Sequence, residues 1–311
     1  CGRDDCVQNI GVIGSLNVDL SIRLPRFHAP GETITGETFD TYAGGKGGNQ
    51  AVAAAKLGVP VMMVGRLGED QNGAFYQGVL TREQVDFSCV ETVPCVPSGV
   101  ALIEVDACGE NRIAIVPGAN AWVDRAQIDR VLPKLKDCGI FLFQLEIPMD
   151  TVCYAARLLH AAGRQVMLDP APAVPLPAQL YQVVDYITPN ATELALLTGC
   201  PTGTMCEAEA AARILLARGT RAVVAKLGAQ GCLYVDAEHT IISPGYRVDV
   251  ADTTAAGDSF NAGLAVALTQ SDLSLTDALH FANAVGALST TKSGAQSAMP
   301  TMAQVKQFMK G

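Results

Sequence analysis

The heptapeptide Asp252-Thr253-Thr254-Ala255-Ala256-Gly257-Asp258 places small residues and two carboxylates just ahead of a helical run, Ser259 to Thr269. Small residues at a helix start let backbone N–H groups approach an anion closely, and the positive end of the helix dipole adds attraction, so this stretch can cradle a phosphate. Beside such a cradle, Asp258 can take the proton of a substrate hydroxyl while that oxygen attacks phosphorus. Taken alone, Asp258 reads first as a first-turn carboxylate favoured by the dipole.

A second glycine-rich stretch, Gly44-Gly45-Lys46-Gly47-Gly48-Asn49, leads into the helical Gln50 to Leu57. It is not a P-loop, because Lys46 is followed by Gly47 rather than Ser or Thr, and the dinucleotide spacing G-x-G-x-x-G fails at Gln50. What it permits is close approach of a polyhydroxylated ligand to the backbone, with Lys46 and Asn49 as donors; a plain turn before a helix fits equally. Asn17 and Asp19, at i and i+2 after the first strand, fall on one side of an extended backbone and together can read a diol, or serve as turn residues. Asn190 and Glu193 have the spacing of a capping box, which is compatible with organising Mg²⁺ through water.

The elements that must position these groups follow from the rest of the 311 residues. Nearly half the chain is apolar and 17% is charged, without a continuous apolar run of membrane-spanning length, and the net charge of -9 works against nucleic acid and anionic membranes. A small-molecule ligand is favoured. Ten cysteines without C-x-x-C spacing read mainly as reduced core residues, Cys1 to Cys6 are set aside as a terminal remnant, and the default location is cytoplasmic. Strands are expected at Ile10–Gly14, Val61–Val64, Ile140–Leu145, Gln165–Leu168, Val183–Ile187 and Ala222–Leu227, and helices at Gly73–Gln84 and Asp150–Ala162. This alternation implies a parallel sheet covered on both faces. Two β-rich segments interrupt it, Leu20–Leu24 with Thr33–Tyr42 and Gly99–Val105 with Arg112–Val116, and read as hairpins of a small second sheet able to act as a lid or merely to decorate the surface.

In order along residues 9 to 309, Gly14-Ser15-Leu16-Asn17-Val18-Asp19, Gly31-Glu32-Thr33, Gly44 to Ala54, Gly118-Ala119-Asn120, Gln144-Leu145-Glu146, Asp169-Pro170-Ala171-Pro172, Asn190 to Glu193 and Asp252 to Asp258 resemble the PfkB, or ribokinase-like, carbohydrate kinase family. The resemblance implies an α/β, ribokinase-like three-layer core with a mainly parallel sheet. It implies a single kinase domain over 1–311, whose β-sheet lid comes from insertions at about 17–43 and 98–118. It also implies that Asn17, Asp19, Gly45, Lys46, Asn49 and Glu146 contact a pentose, that Asp258 is the base, and that Ala256 and Gly257 form the anion hole. Asn190, Lys226, Gly228, Gly231 and Asn283 would line the nucleotide site with Ala256 and Gly257, and Asn190 with Glu193 would serve Mg²⁺. Asp252, Thr254, Ser289, Lys292 and Gly294 fall where the family holds a monovalent cation, K⁺ by expectation. Ala255, Ala191 and Ala298 depart from commoner family residues, Ala298 at a position where a hydroxyl can help hold the cation.

The activity so implied is phosphoryl transfer from MgATP to the C5 hydroxyl of D-ribose, in a homodimer joined through the lid sheets. A deoxyribose or nucleoside kinase is the alternative within the family, although one Trp and 5% aromatic residues offer little wall for a base. A catalytically silent sugar sensor is the alternative outside it.

Overall fold

The computed structural model describes residues 9–270 and 272–310. Thirteen strands form two sheets among these residues. The larger has the order β13-β12-β11-β10-β9-β8-β1-β4-β5, with β1 Asn9–Ile13, β4 Val61–Gly68, β5 Asp86–Val93, β8 Cys138–Phe143, β9 Gln165–Leu168, β10 Tyr186–Ile187, β11 Ala222–Lys226, β12 Cys232–Val235 and β13 Thr240–Ser243. Every pairing from β5 to β11 is parallel, and β12 and β13 close the far edge antiparallel.

The helices are α1 Lys46–Lys56, α2 Gln71–Arg82, α3 Arg125–Val131, α4 Met149–Ala161, α5 Ala178–Tyr181, α6 Ala191–Thr198, α7 Met205–Ala217, α8 Ala256–Leu268, α9 Leu275–Ser289 and α10 Met302–Phe308. They divide between the two faces of the sheet because its strands are apolar on both. Ile10, Val12, Ile140 and Leu142 share one core with Leu80 of α2, Leu264 of α8 and Leu279 of α9. Ile13, Phe141 and Phe143, pointing the other way by the two-residue period, share the second with Leu159 of α4 and Leu215 of α7. The result is the expected three-layer core.

The smaller sheet has the order β3-β2-β6-β7, from β2 Asn17–Arg23, β3 Thr38–Gly44, β6 Gly99–Val105 and β7 Asn111–Val116. Both expected hairpin pairs are antiparallel, and parallel pairing of β2 with β6 joins them. The stretch expected as strand from Thr33 begins only at Thr38: a turn at Pro30-Gly31, closed by Glu32 N–H on Ala29 O, is followed by irregular chain over 32–37. Phe39, Leu102, Ile113, Ile115 and Val116 are exposed on this sheet.

Other boundaries moved for local reasons. Asp70 accepts from Gly73 N at 2.7 Å and so starts α2 two residues earlier than expected, while Val183 N closes a turn onto Leu180 O and shortens β10 to two residues. The expectation that most cysteines lie in the core is corrected. Of the eight described cysteines, all unpaired, only Cys89, Cys138 and Cys232 are buried; Cys1 and Cys6 lie outside the described residues.

Gly11 lies where β1 passes the Phe141 ring, and a Cβ there would come within 2.3 Å of the ring edge. Since Phe141 is fully buried it cannot swing aside, so Gly11→Ala is expected to cost ~1–3 kcal/mol by overpacking. Urea denaturation checks this: the midpoint should fall, and Phe141→Leu should recover part of the loss.

Candidate active site

The polar residues gather where the parallel strands end. Five neighbouring strands, β1, β8, β9, β10 and β11, are followed at their carboxyl ends by Ser15 and Asn17, Gln144 and Glu146, Asp169, and Asn190, with Lys226 the last residue of β11. Open α/β sheets bind ligands along this edge, because parallel pairing brings all the strand-to-helix loops to one side.

Asp258, in the first turn of α8, is buried there. Its Oδ2 accepts from Asn49 Nδ2 and its Oδ1 from Gln50 Nε2, both at 3.0 Å. The Gln50 amide also donates to Asp169 Oδ2 at 3.1 Å and is oriented by Gln144 Nε2, which donates to its oxygen at 2.7 Å. Lys226 Nζ donates to the other oxygen of Asp169 at 3.0 Å. A continuous set of hydrogen bonds thus runs from Lys226 to Asp258. Burial pushes the Asp258 carboxyl up to about 6, with the Asp169 charge adding to the rise, while the Lys46 ammonium and the amides of Gln50 and Asn49 oppose it. A carboxylate so placed is ionised at neutral pH yet basic enough to take a proton.

On the side of the smaller sheet, Glu146 Oε2 accepts from Ser15 Oγ at 2.5 Å and from Lys46 N at 3.0 Å. Burial works against the charge on Lys46, but Asp258, Asp169, Glu146 and Glu193 hold its ammonium well above the ordinary Lys value. Asp19 is pushed up to about 7, by burial first and then by the charges of Glu146 and Asp258. Asn17 Oδ1 accepts from Asn120 Nδ2 at 2.7 Å, which leaves the Asn17 amide nitrogen as its donor toward a ligand. The Gly44-Gly45 bend is sterically required: Gly45 has φ +79°, and a Cβ on Gly44 would fall 2.0 Å from Asp19 Oδ2.

Across Asp258 from this pocket, a cavity of about 660 Å³ is lined by Lys226, Gly228, Gly231, Ala256, Gly257 and Asn283, together with Tyr246 and Phe260. All the residues expected at a nucleotide site line it except Asn190, which sits at its edge through a bridge to Lys226. Asn283 Nδ2 is engaged by Ser243 O and Oγ at 3.0 Å, so part of its work is to hold the end of β13 against α9. Of the two residues expected to form an anion hole, only Gly257 has its N–H free among the described residues. Ala256 N–H closes a turn onto Thr253 O at 3.2 Å, whereas the N–H groups of Gly257 and Asp258 have no backbone acceptor among the described residues and are the free donors of the helix start.

Asn190 and Glu193 form the capping box of α6, each side chain accepting from the other's backbone N–H at 2.8 Å. Burial raises the Glu193 carboxyl, with Lys226 opposing and Asp169 adding to the rise. Of the residues expected around a monovalent cation, Asp252 is brought to Thr254 and Gly294: it accepts from Thr254 N at 2.9 Å and Oγ1 at 2.6 Å, and from Gly294 N at 2.9 Å. The other two are not drawn in by hydrogen bonds. Ser289 Oγ donates to Gly286 O within α9, and Lys292 lines a separate cavity with Ala298.

The sequence matches the description "pfkB family carbohydrate kinase" over residues 7–302. The chain belongs to the PfkB carbohydrate kinase family. It is 37% identical over 302 residues to a ribokinase of Haemophilus influenzae, covering 97% of this chain and 98% of that one, and 36% identical to a deoxyribokinase of Salmonella typhi, covering 97% and 99%. The fold superimposes on Arabidopsis thaliana ribokinase complexed with ribose and ATP with a TM-score of 0.93 at 35% identity, covering 98% and 99% of the two chains. The core and small sheet therefore form the ribokinase-like fold, and this PfkB member is a carbohydrate kinase.

The site holds residues to which the sequence assigned no role. Gln296 stands in no pattern that marks it, and Gln50, Asn120, Gln144 and Asp169 appear only as members of family motifs. One clue was available: Gln50 directly follows Asn49 at the start of α1, where both side chains can reach one ligand.

The raised carboxyl of Asp19 gives a pH prediction for stability. Its folded value, about 7, lies above the unfolded value near 4, so its contribution is complete below about pH 4 and lost as pH rises through about 7. Asp19→Asn, which stays neutral, should therefore gain in urea midpoint over wild type as pH rises from 4 to 8. A difference independent of pH would contradict the assignment.

Proposed function

We propose that the protein phosphorylates D-ribose at its C5 hydroxyl, using ATP and yielding D-ribose 5-phosphate and ADP, with Asp258 as the base. The observation that carries the reading is the buried Asp258, fixed by two amides at the start of α8 with the polar cleft on one side and the glycine-lined cavity on the other. In the cleft, Asn17, Asp19, Gly45, Lys46, Asn49 and Glu146 would hold the sugar so that the C5 oxygen meets Asp258. As that oxygen attacks the γ-phosphorus its proton passes to Asp258, the bond to the β-phosphate oxygen breaks, and ADP leaves. The N–H groups of Gly257 and Asp258, with Lys226, would face the charge on the transferring group.

Mg²⁺ suits the oxygens beside Lys226. Among the described residues no three His, Cys, Asp or Glu form a chelating group, so the ion would arrive on the nucleotide and meet Glu193, Asn190 and Asp169 through water. Bound there, it neutralises charge on the phosphates. The Asp252 and Gly294 loops, with their carbonyls, suit K⁺, and their tie to the start of α8 would let the ion order the anion cradle. We assign the small sheet as a lid on a single kinase domain, closing over the sugar to exclude water. Its exposed Leu102, Ile113 and Ile115 favour a homodimer through the lids. Unpaired cysteines suit a reducing compartment, and we place the enzyme in the cytoplasm. No described helix is long and apolar enough to cross a membrane.

The relatives named ribokinase support ribose, and the deoxyribokinase at nearly equal identity keeps 2-deoxyribose as the second reading. A coupled ADP-release assay with ribose, 2-deoxyribose, fructose and adenosine separates them. Ribose should give the highest kcat/KM, and Asp258→Asn should lower kcat by roughly 10²–10⁴-fold with sugar binding retained. Turnover near wild type in that variant would remove the mechanism. At fixed ionic strength, K⁺ should raise the rate over Na⁺ or a bulky organic cation; equal rates would remove the cation site.

A further inference from the structure

Gln296 lies in the loop after α9, two residues beyond the Gly294 that is tied to Asp252, and it is buried. Its Nε2 donates to Asn49 Oδ1 at 3.2 Å and to Tyr76 Oη at 3.0 Å. Its own backbone oxygen accepts from Lys56 Nζ at 2.6 Å, which fixes the residue against the end of α1.

The direction of these bonds follows from what each partner can do. An ionised Asp258 only accepts, so Asn49 must turn its Nδ2 toward it, and the Asn49 oxygen then faces away and needs a donor. Tyr76 donates its single proton to Gly44 O at 2.5 Å, so its oxygen also needs a donor. Gln296 Nε2 has two hydrogens and meets both needs. Its Oε1 is buried without a protein partner. Flipping the amide would set that oxygen against two acceptors, so the orientation with the unpaired oxygen is the one the network requires.

We propose that Gln296 is a positioning residue for phosphoryl transfer, fixing the Asn49 amide against Asp258, with its bond to Tyr76 Oη holding the donor amide in place. One side chain thereby ties the partner of the base to the loop that carries Gly294. The three positions are 247 and 220 residues apart in sequence, so no local propensity sets this geometry. Without the Gln296 donor, the buried Asn49 oxygen is left without its partner, and the amide that faces Asp258 is held from one end only. Misplacement of a reacting group by an ångström is enough to cost large factors in rate.

The inference rests on reading Asp258 as the base, and a double-mutant cycle on kcat with Asn49→Ala separates the two. Gln296→Met, similar in volume but without a donor, should lower kcat about tenfold or more while sugar KM stays within about twofold. In the Asn49→Ala background the same change should cost less than about twofold, because the partner it orients is gone. Equal losses in both backgrounds, or unchanged kcat in Gln296→Met, would overturn the role of Gln296 and leave Asp258→Asn as impaired as before; normal turnover in Asp258→Asn would instead remove the base. Should Gln296→Met fail to melt cooperatively, Gln296→Leu takes its place in the cycle. It fills most of the volume and has no donor, so the same non-additive loss is expected and wild-type kcat would overturn the proposal.

Discussion

The site depends on cations set among its carboxylates: Lys226 pairs with Asp169, and the half-buried Lys46 feels the charges of Asp258, Asp169, Glu146 and Glu193. The charges of Asp258, Asp169, Glu146 and Glu193 favour the Lys46 ammonium against its burial, and it in turn limits how far burial raises Asp258. Without a cation, several carboxylates withdrawn from water cannot all stay ionised. Asp19, farther along the same cluster, shows the consequence: burial and the neighbouring charges take it to about 7. The amides of Asn49, Gln50 and Gln144 complete the arrangement by satisfying carboxylate oxygens without adding charge.

Such a cluster needs a rigid frame, and the parallel sheet supplies it. Its members come from the ends of β1, β8, β9 and β11 and from the first turns of α1, α6 and α8, all on the edge where the strands finish. The two cores on either side of the sheet hold those ends in register, since alternate residues of β1 and β8 are buried in opposite directions. The glycines of the Gly44 to Gly48 stretch then let α1 start close against the loop after β1, where larger residues would strike Asp19, Ser15 or Tyr76.

What could be read from the sequence was what is local. Asp258 with its small-residue approach, the glycine stretch at Gly44 to Asn49 and the Asn190–Glu193 capping box are contiguous, and each lies at a helix start, although α1 begins at Lys46, four residues before the expected Gln50. The alternation of strands and helices was also readable, because buried parallel strands are short apolar runs with glycine at their ends. Turns and caps moved the boundaries of α2, β3 and β10. Gln50, Gln144, Asn120 and Gln296 could not be assigned, because a glutamine or asparagine acquires a role only from partners that are 94 to 247 positions away. The spacing around Ala256 does not reveal that its N–H is taken by Thr253 O, with the free donors one and two residues later.

The central claim, that the Lys46 charge keeps Asp258 ionised and able to act as the base, is most directly tested by the pH dependence of kcat/KM for the sugar in wild type and in Lys46→Met. Wild-type kcat/KM should fall on acidification through about 6, and in the variant the fall should begin at higher pH, since the charge that favours the carboxylate is gone. The position of the acid limb is independent of any uniform loss of sugar contact in the variant. A limb at the same pH in both proteins would contradict the account.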